Sequence, residues 1–142
     1  MRAELEALRG VLADVSTRPA FLVAVPSDKP TGWVASWPPV AYYLVEPVGA
    51  GRPEDQPIGG DLAAWSALVR VKAVGITPEQ ALTHLDAARE ALCPNGRPGS
   101  LTVTGRGVSV VFVRHEADFV DRDVSPHRFL SVDAVRVESV PA

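Results

Sequence analysis

The stretch from Asp118 to Ala142 contains the densest set of residues that could do chemistry. It reads DFVDRDVSPHRFLSVDAVRVESVPA, and its first sixteen residues hold a histidine and four aspartates: Asp118, Asp121, Asp123, His127 and Asp133. Carboxylates beside an imidazole can hold a metal ion that activates water for hydrolysis. The alternative is that these acids form the polar rim of a sheet.

The spacing of these residues does not match a known metal motif. The three histidines, His84, His115 and His127, show no H-x-x-x-H spacing, and the sequence has no C-x-x-C pair, so a structural zinc site is excluded. A calcium loop needs more oxygen ligands and a glycine for its sharp turn, and none lies between Asp118 and Asp123. No G-x-S-x-G elbow is present either. We therefore predict no catalytic residue, metal or cofactor.

A turn before the last strand gives the acids a structural role instead. Pro126 keeps Ser125 out of helical geometry, and charged residues precede it where the chain turns. We expect Asp123 to accept backbone N–H bonds from Ser125 or His127. We expect Arg122 to pair with a carboxylate of its own or of the next subunit. Arg122 and Asp123 are thus candidates for partner contact.

Length and composition limit the classes of function. A chain of 142 residues fits one domain over residues 1–142. The net charge of −3 and pI near 5.6 give no bulk attraction to phosphate backbones, and no basic patch is visible. Cys93 is the single cysteine and cannot form an internal bridge, so we expect a buried or incidental thiol. No run approaches the ~20 apolar residues that span a bilayer, so we expect a protein that is soluble, and cytoplasmic when it is made.

Two helices are predicted. Leu5, Leu8, Leu12 and Val15 recur at three- and four-residue spacing and predict a helix from about Ala3 to Val15. TPEQALTHLDAAREAL begins with Thr77 as N-cap and Pro78 in the first turn, and Gln80 completes a capping box. The predicted buried stripe of this second helix consists of Ala81, Leu82, Leu85, Ala88 and Leu92. His84 lies off this stripe and is expected to be solvated.

Strands account for most of the remaining chain. A long strand in LAAWSALVRVKAVG alternates apolar and polar residues from Trp65 onward. The other predicted strands are 21–25, 40–46, 101–104, 108–115 and 129–140, with a hairpin turn at Gly105–Gly107. Helices and strands in this order favour an α+β domain, with a mostly antiparallel β-sheet packed against two main helices.

Two long loops separate these elements, at residues 26–39 and 48–61. The first contains Trp33 and Trp37 among prolines, where the indoles could serve as contact anchors or pack over the sheet edge. The second is rich in glycine, proline and charge, which predicts mobility in a free subunit. Its Arg52, Glu54 and Asp55 are further candidates for partner contact.

The ordered set of features resembles the tail terminator proteins of long-tailed bacteriophages. The residues that carry this resemblance are the N-terminal helix, VGITPEQALTHLDAAREAL, the hairpin LTVTGRGVSVVFV and the ending VDRDVSPHRFLSVDAVRVESVP. The resemblance covers most of the chain but not its two loops. It implies an α+β subunit of a hexameric ring, without catalytic residues, that caps the tail tube, ends tail polymerisation and docks the head.

The resemblance also implies the partners and the location. They are other copies of the chain, the tail tube protein and a head-completion or neck protein, at the head–tail interface of the virion. DNA would pass through the ring without specific binding, and no membrane is involved. Two alternatives remain open: another head–tail connector protein, and a small metal-dependent hydrolase that uses Asp121, Asp123 and His127.

Overall fold

The computed structural model describes residues 2–15, 18–28, 31–32, 37, 39–48 and 64–142. Two helices and six strands form it, with a short 3-10 turn at Pro94–Gly96. They are α1 (Arg2–Val15), β1 (Ala20–Leu22), β2 (Tyr42–Val48), β3 (Trp65–Gly75), α2 (Pro78–Leu92), β4 (Gly99–Val103), β5 (Arg106–Asp121) and β6 (Arg128–Pro141). Residues 49–61 of the second predicted loop lie outside the described residues.

The strands form one sheet in the order β1-β2-β3-β6-β5-β4. Only β1 and β2 pair in parallel, and all other neighbours are antiparallel. This arrangement confirms the predicted α+β class with a mostly antiparallel sheet and two helices.

Helix α1 packs its apolar stripe into the core, because Leu5, Leu8 and Leu12 recur on one side and are all buried. The helix contacts both β1 and β4, which are the two outermost strands of the sheet. The sheet therefore curls around α1, and this helix closes the space between its two edges.

Helix α2 begins as the sequence predicts, with one difference in its cap. The side chain of Thr77 accepts a hydrogen bond from the backbone N–H of Gln80 at 3.1 Å. Gln80 does not return the bond to Thr77, as a capping box would, but accepts from the N–H of Ile76 at 2.8 Å. Gly75 permits this approach, because a Cβ atom there would lie 2.8 Å from Gln80 Oε1.

The buried stripe of α2 is narrower than predicted. Ala81, Leu85, Ala88 and Leu92 are buried, but Leu82 is 43% exposed. Leu82 follows Ala81 by one residue, about 100° around the helix, and the sheet covers only the side on which Ala81 lies.

The bounds of β1, β2 and β5 differ most from prediction. The chain leaves β1 after Leu22, because Val23 has a φ of 65° that no regular strand accommodates. Strand β2 runs from Tyr42 to Val48 rather than 40–46. Strand β5 starts at Arg106, one residue after Gly105 (φ 75°), and continues six residues beyond His115 to Asp121. Two register shifts against β6 bend it on the way.

Candidate functional site

The histidine and the four aspartates of residues 118–133 do not form one site. Asp133 lies on β6 and faces α2, while Asp118 lies on β5 beside it. Asp121 ends β5, and Asp123 and His127 lie in the exposed turn that leads to β6. The structure divides them into a polar cluster under α2 and a separate solvent-facing turn.

The centre of the polar cluster is an ion pair between α2 and β6. Arg89 donates from Nε and Nη2 to the two carboxylate oxygens of Asp133, both at 2.8 Å. The Asp133 side chain is only 3% exposed. The guanidinium group also lies 4.7 Å from the ring centroid of Phe112 on β5. The hydrogen bond to Asp133 is the main reason that the pKa of Arg89 is raised, although burial acts in the opposite direction.

His115 extends this cluster along β5. Its Nδ1 lies 2.9 Å from Oδ1 of Asp133, and its Nε2 lies 3.2 Å from Oδ2 of Asp118. The hydrogen bond with Asp133 chiefly raises the pKa of His115, with Asp118 adding to the effect and burial opposing it. Asp118 also accepts from the Ser131 hydroxyl at 2.7 Å, and this bond is the first cause of the lowered pKa of its carboxyl group.

This geometry holds a charge but does not prepare a catalytic base. A base needs a free lone pair, and both ring nitrogens of His115 face carboxylates that favour the imidazolium form. The Ser131 hydroxyl donates its hydrogen bond to Asp118, not to the histidine. Asp118 and Asp133 approach opposite nitrogens of the ring, so the three groups do not converge on one point. In the part of the chain that the structure describes, no group of three or more His, Cys, Asp or Glu side chains could hold a metal ion.

Arg89 and His115 belong to this cluster although the sequence patterns did not indicate them. A signal was present for Asp133, which occupies an inward position of β6 between Ser131 and Val135, both buried. A charged residue at an inward position requires a partner. The sequence alone could not name that partner, because Arg89 lies 44 residues away.

The turn between β5 and β6 also differs from prediction. Asp121, not Asp123, is the acceptor: its Oδ1 receives the backbone N–H of Asp123 at 3.0 Å. An aspartate side chain can accept a hydrogen bond from the backbone N–H two residues later in the chain. The Asx turn therefore begins at Asp121, two residues earlier than expected. Asp123 and Arg122 are exposed, and Arg122 forms no ion pair with any described residue of its own chain.

Among the remaining candidates for partner contact, only Trp37 can be placed. Its indole N–H donates to the carbonyl of Pro26 at 3.0 Å. Its ring meets Phe21 edge-on, with centroids 5.8 Å apart. This geometry agrees with the packing interpretation, in which the indole lies over the β1 edge. Trp33, Arg52, Glu54 and Asp55 lie outside the described residues.

The structure also tests the predicted burial of Cys93 and the predicted exposure of His84. Cys93 is buried, as expected. His84 is only partly exposed rather than solvated, because its ring packs edge-on against Tyr43, with centroids 6.2 Å apart. The Tyr43 hydroxyl also donates to the carbonyl of His84 at 2.7 Å. Burial, followed by the nearby charge of Arg18, lowers the pKa of His84.

Comparison with known proteins identifies a shared fold. No family model and no curated protein matches the sequence. A solved structure does match: a chain of the "Virion of native gene transfer agent (GTA) particle", with a TM-score of 0.50 and 20% identity. The alignment covers 96% of this chain and 92% of that one. No helix within the described ranges is long and apolar enough to cross a membrane.

Proposed function

We propose that this chain is a structural protein of a phage-like virion. The observation that carries this proposal is the fold shared, over nearly the full length of both chains, with a chain of a gene transfer agent virion. The match therefore extends over almost the whole domain and is not confined to one common submotif. The absence of a prepared catalytic base in the polar cluster around His115 agrees with a structural role.

Within the virion, we assign the chain to the tail terminator, which caps the tail tube as a ring and offers a docking surface to the neck. The support is the resemblance of its sequence features to that family. Its partners are further copies of the chain, the tail tube protein and a head-completion protein. The net charge of −3 suits a ring through which DNA passes without being held.

This assignment can be tested by electron microscopy. The purified chain is mixed with tail tubes that are assembled from the tube protein of the same genome. A terminator binds one end of each tube, and tubes that carry it stop lengthening when more tube protein is added. Another head–tail connector would leave tube growth unchanged and bind the head portal instead. If the chain bound neither structure and were absent from purified particles, the virion role would be refuted.

The hydrolase alternative has its own test. A metal ion present at a hundred times its dissociation constant would add about 2.7 kcal/mol to the stability of the folded state. We expect no change in melting temperature with magnesium, manganese, calcium or zinc. Asp121 holds the backbone of Asp123, and His127 is exposed. A melting temperature that rises with metal, together with phosphate-ester hydrolysis lost in Asp123→Ala, would support the enzyme.

A further inference from the structure

Val23 combines strain with exposure. Its φ of 65° lies in the left-handed region, where a β-branched side chain is a true outlier. The side chain is nevertheless 60% exposed, so packing within the described residues does not compensate for the strain. Glycine or asparagine would adopt this conformation more readily. A strained residue with an apolar, solvent-facing side chain points to a contact outside its own chain.

Val23 lines an open groove between α1 and β1. The volume of the groove is about 660 Å³. Among the described residues, Phe21, Leu22 and Val23 contribute to its apolar wall, and Arg2, Glu6 and Arg9 supply charged groups. Arg9 is held by Glu6 at 2.9 Å and also donates to the carbonyl of Ala20. The groove thus offers apolar surface beside two arginines and one glutamate.

The β1 edge of the sheet does not favour the addition of another strand through backbone hydrogen bonds. Strand β1 has only three residues, and the carbonyl of Leu22 already accepts from the N–H of Ala24 at 2.7 Å. The carbonyl of Ala20 accepts from Arg9. A short edge with its carbonyls occupied is poorly suited to strand addition. Side chains must therefore account for binding in this groove.

The turn between β5 and β6 has the complementary properties. Every residue from Arg122 to His127 is exposed. Val124 offers apolar surface that is 39% exposed, and Phe119 is exposed at the base of the turn. Asp121 and Asp123 flank Arg122, so two carboxylates and one guanidinium would face the two arginines and one glutamate of the groove. No residue of the turn lines the groove of its own chain.

We propose that the β5–β6 turn of one copy docks into the α1–β1 groove of a second copy. Val124 meets the apolar wall beside Val23, while the turn's acids face Arg2 and Arg9. The two surfaces belong to different elements, so the contact is heterologous and leaves one turn and one groove free for further copies. Repetition of such a contact closes a ring when the rotation per subunit allows it. The proposal rests on the proposed function and defines its subunit contact.

Sedimentation velocity of the full-length chain tests the contact through three single variants. Val23→Gly removes the side chain and relieves the strain. Asp123→Arg and Arg2→Glu each reverse one charge. We expect every one to raise the dissociation constant of self-association by at least about tenfold. Val23→Gly should melt at or above the parent's temperature, because glycine has no Cβ to clash at a positive φ. Circular dichroism checks the fold of each variant.

Exchanging the charges of Arg2 and Asp123 distinguishes a direct contact between them from an indirect effect of either substitution on the fold. The double variant Arg2→Glu with Asp123→Arg should recover association close to that of the parent, and so should an equimolar mixture of the two single variants. Glu138→Arg is the matched control for Asp123→Arg, because it makes the same change of charge at an exposed residue that lies at the far end of β6 from the turn and does not line the groove. Its association should equal the parent's.

Two results would overturn the contact. One is a parent chain that stays monomeric at every accessible concentration. The other is self-association that Val23→Gly and the charge reversals leave unchanged. Neither result touches the virion role, which is judged by tube binding and by presence in purified particles. Conversely, a chain that self-associates through this contact but binds no tube would leave the contact standing and refute the terminator role.

Discussion

Arg89 on α2 and Asp133 on β6 form a two-point ion pair, with both nitrogen–oxygen distances at 2.8 Å. The partners differ in burial: the Asp133 side chain is 3% exposed, and the Arg89 side chain is 36% exposed. The pair connects the helix layer to the centre of the sheet. The loss of Arg89 and the loss of Asp133 should therefore lower the free energy of unfolding by different amounts.

Arg89→Met should destabilise the protein more than Asp133→Asn does. Without Arg89, a buried carboxylate keeps only His115 as a charged partner, and we expect a cost of about 3 kcal/mol. Without the carboxylate charge, the arginine can still reach water. The double variant should recover part of the loss, because no buried charge remains. Urea unfolding of the parent and the three variants measures this. Strictly additive single effects would contradict coupling between the two side chains.

The pKa values of His115 and His84 should be shifted in opposite directions from the ordinary value of 6.5. The hydrogen bond with Asp133, aided by Asp118, raises the pKa of His115, whereas burial and the charge of Arg18 lower the pKa of His84. NMR titration of the ring protons resolves both groups. Asp118→Asn should lower the pKa of His115 and leave that of His84 unchanged. A His115 pKa at or below the ordinary value would show that the carboxylates do not hold its charge.

The raised pKa of His115 also predicts the direction of a pH effect on stability. A group whose pKa is raised by folding adds stability that is fully present below its unfolded value. This stability is lost as the pH rises through the folded value. The free energy of unfolding of the parent should thus exceed that of His115→Gln by the largest amount below pH 6.5, and this difference should decrease above it. Unfolding in urea from about pH 5 to about pH 9 measures it. A difference that grows with pH would contradict the assignment.

Two glycines form a matched pair for substitution. A Cβ at Gly99 would lie 1.8 Å from the backbone carbonyl oxygen of Leu92, so Gly99→Ala must displace β4 from the end of α2. We expect a loss on the order of 3 kcal/mol. A Cβ at Gly10 would meet nothing within 4 Å, and Gly10→Ala in α1 should add about 0.5–1 kcal/mol. Thermal unfolding of both variants compares them, and equal effects would show that β4 does not approach Leu92 this closely.

The β5–β6 turn should depend on Asp121 rather than on Asp123. Asp121→Ala removes the acceptor for the Asp123 N–H and should cost about 1 kcal/mol. Asp123→Ala removes an exposed side chain and should change stability by less than about 0.5 kcal/mol. Melting temperatures of the two variants distinguish the residues. A larger loss in Asp123→Ala would restore Asp123 as the acceptor in the turn.

Local sequence signals predicted the elements whose stability is local. Thr77, Pro78 and the spacing of Ala81, Leu85 and Ala88 were sufficient to place α2, because N-caps and helical periodicity depend on neighbours within a few residues. The alternation along β3 placed its buried face for the same reason. The exposure of Leu82 was not predictable, since periodicity gives the direction of a side chain but not the width of the sheet beneath it.

The polar cluster was decided by tertiary structure alone. Arg89, His115 and Asp133 come from a helix and two strands, and the pairs they form span 44 and 18 residues. They meet only because the register shift between Phe112 and Arg114 places His115 opposite Asp133 while α2 crosses above them. The sequence by itself determined which residues could carry charge and which faces were apolar. Which charges are buried together depended on strand register and helix position, because these result from packing of the whole chain.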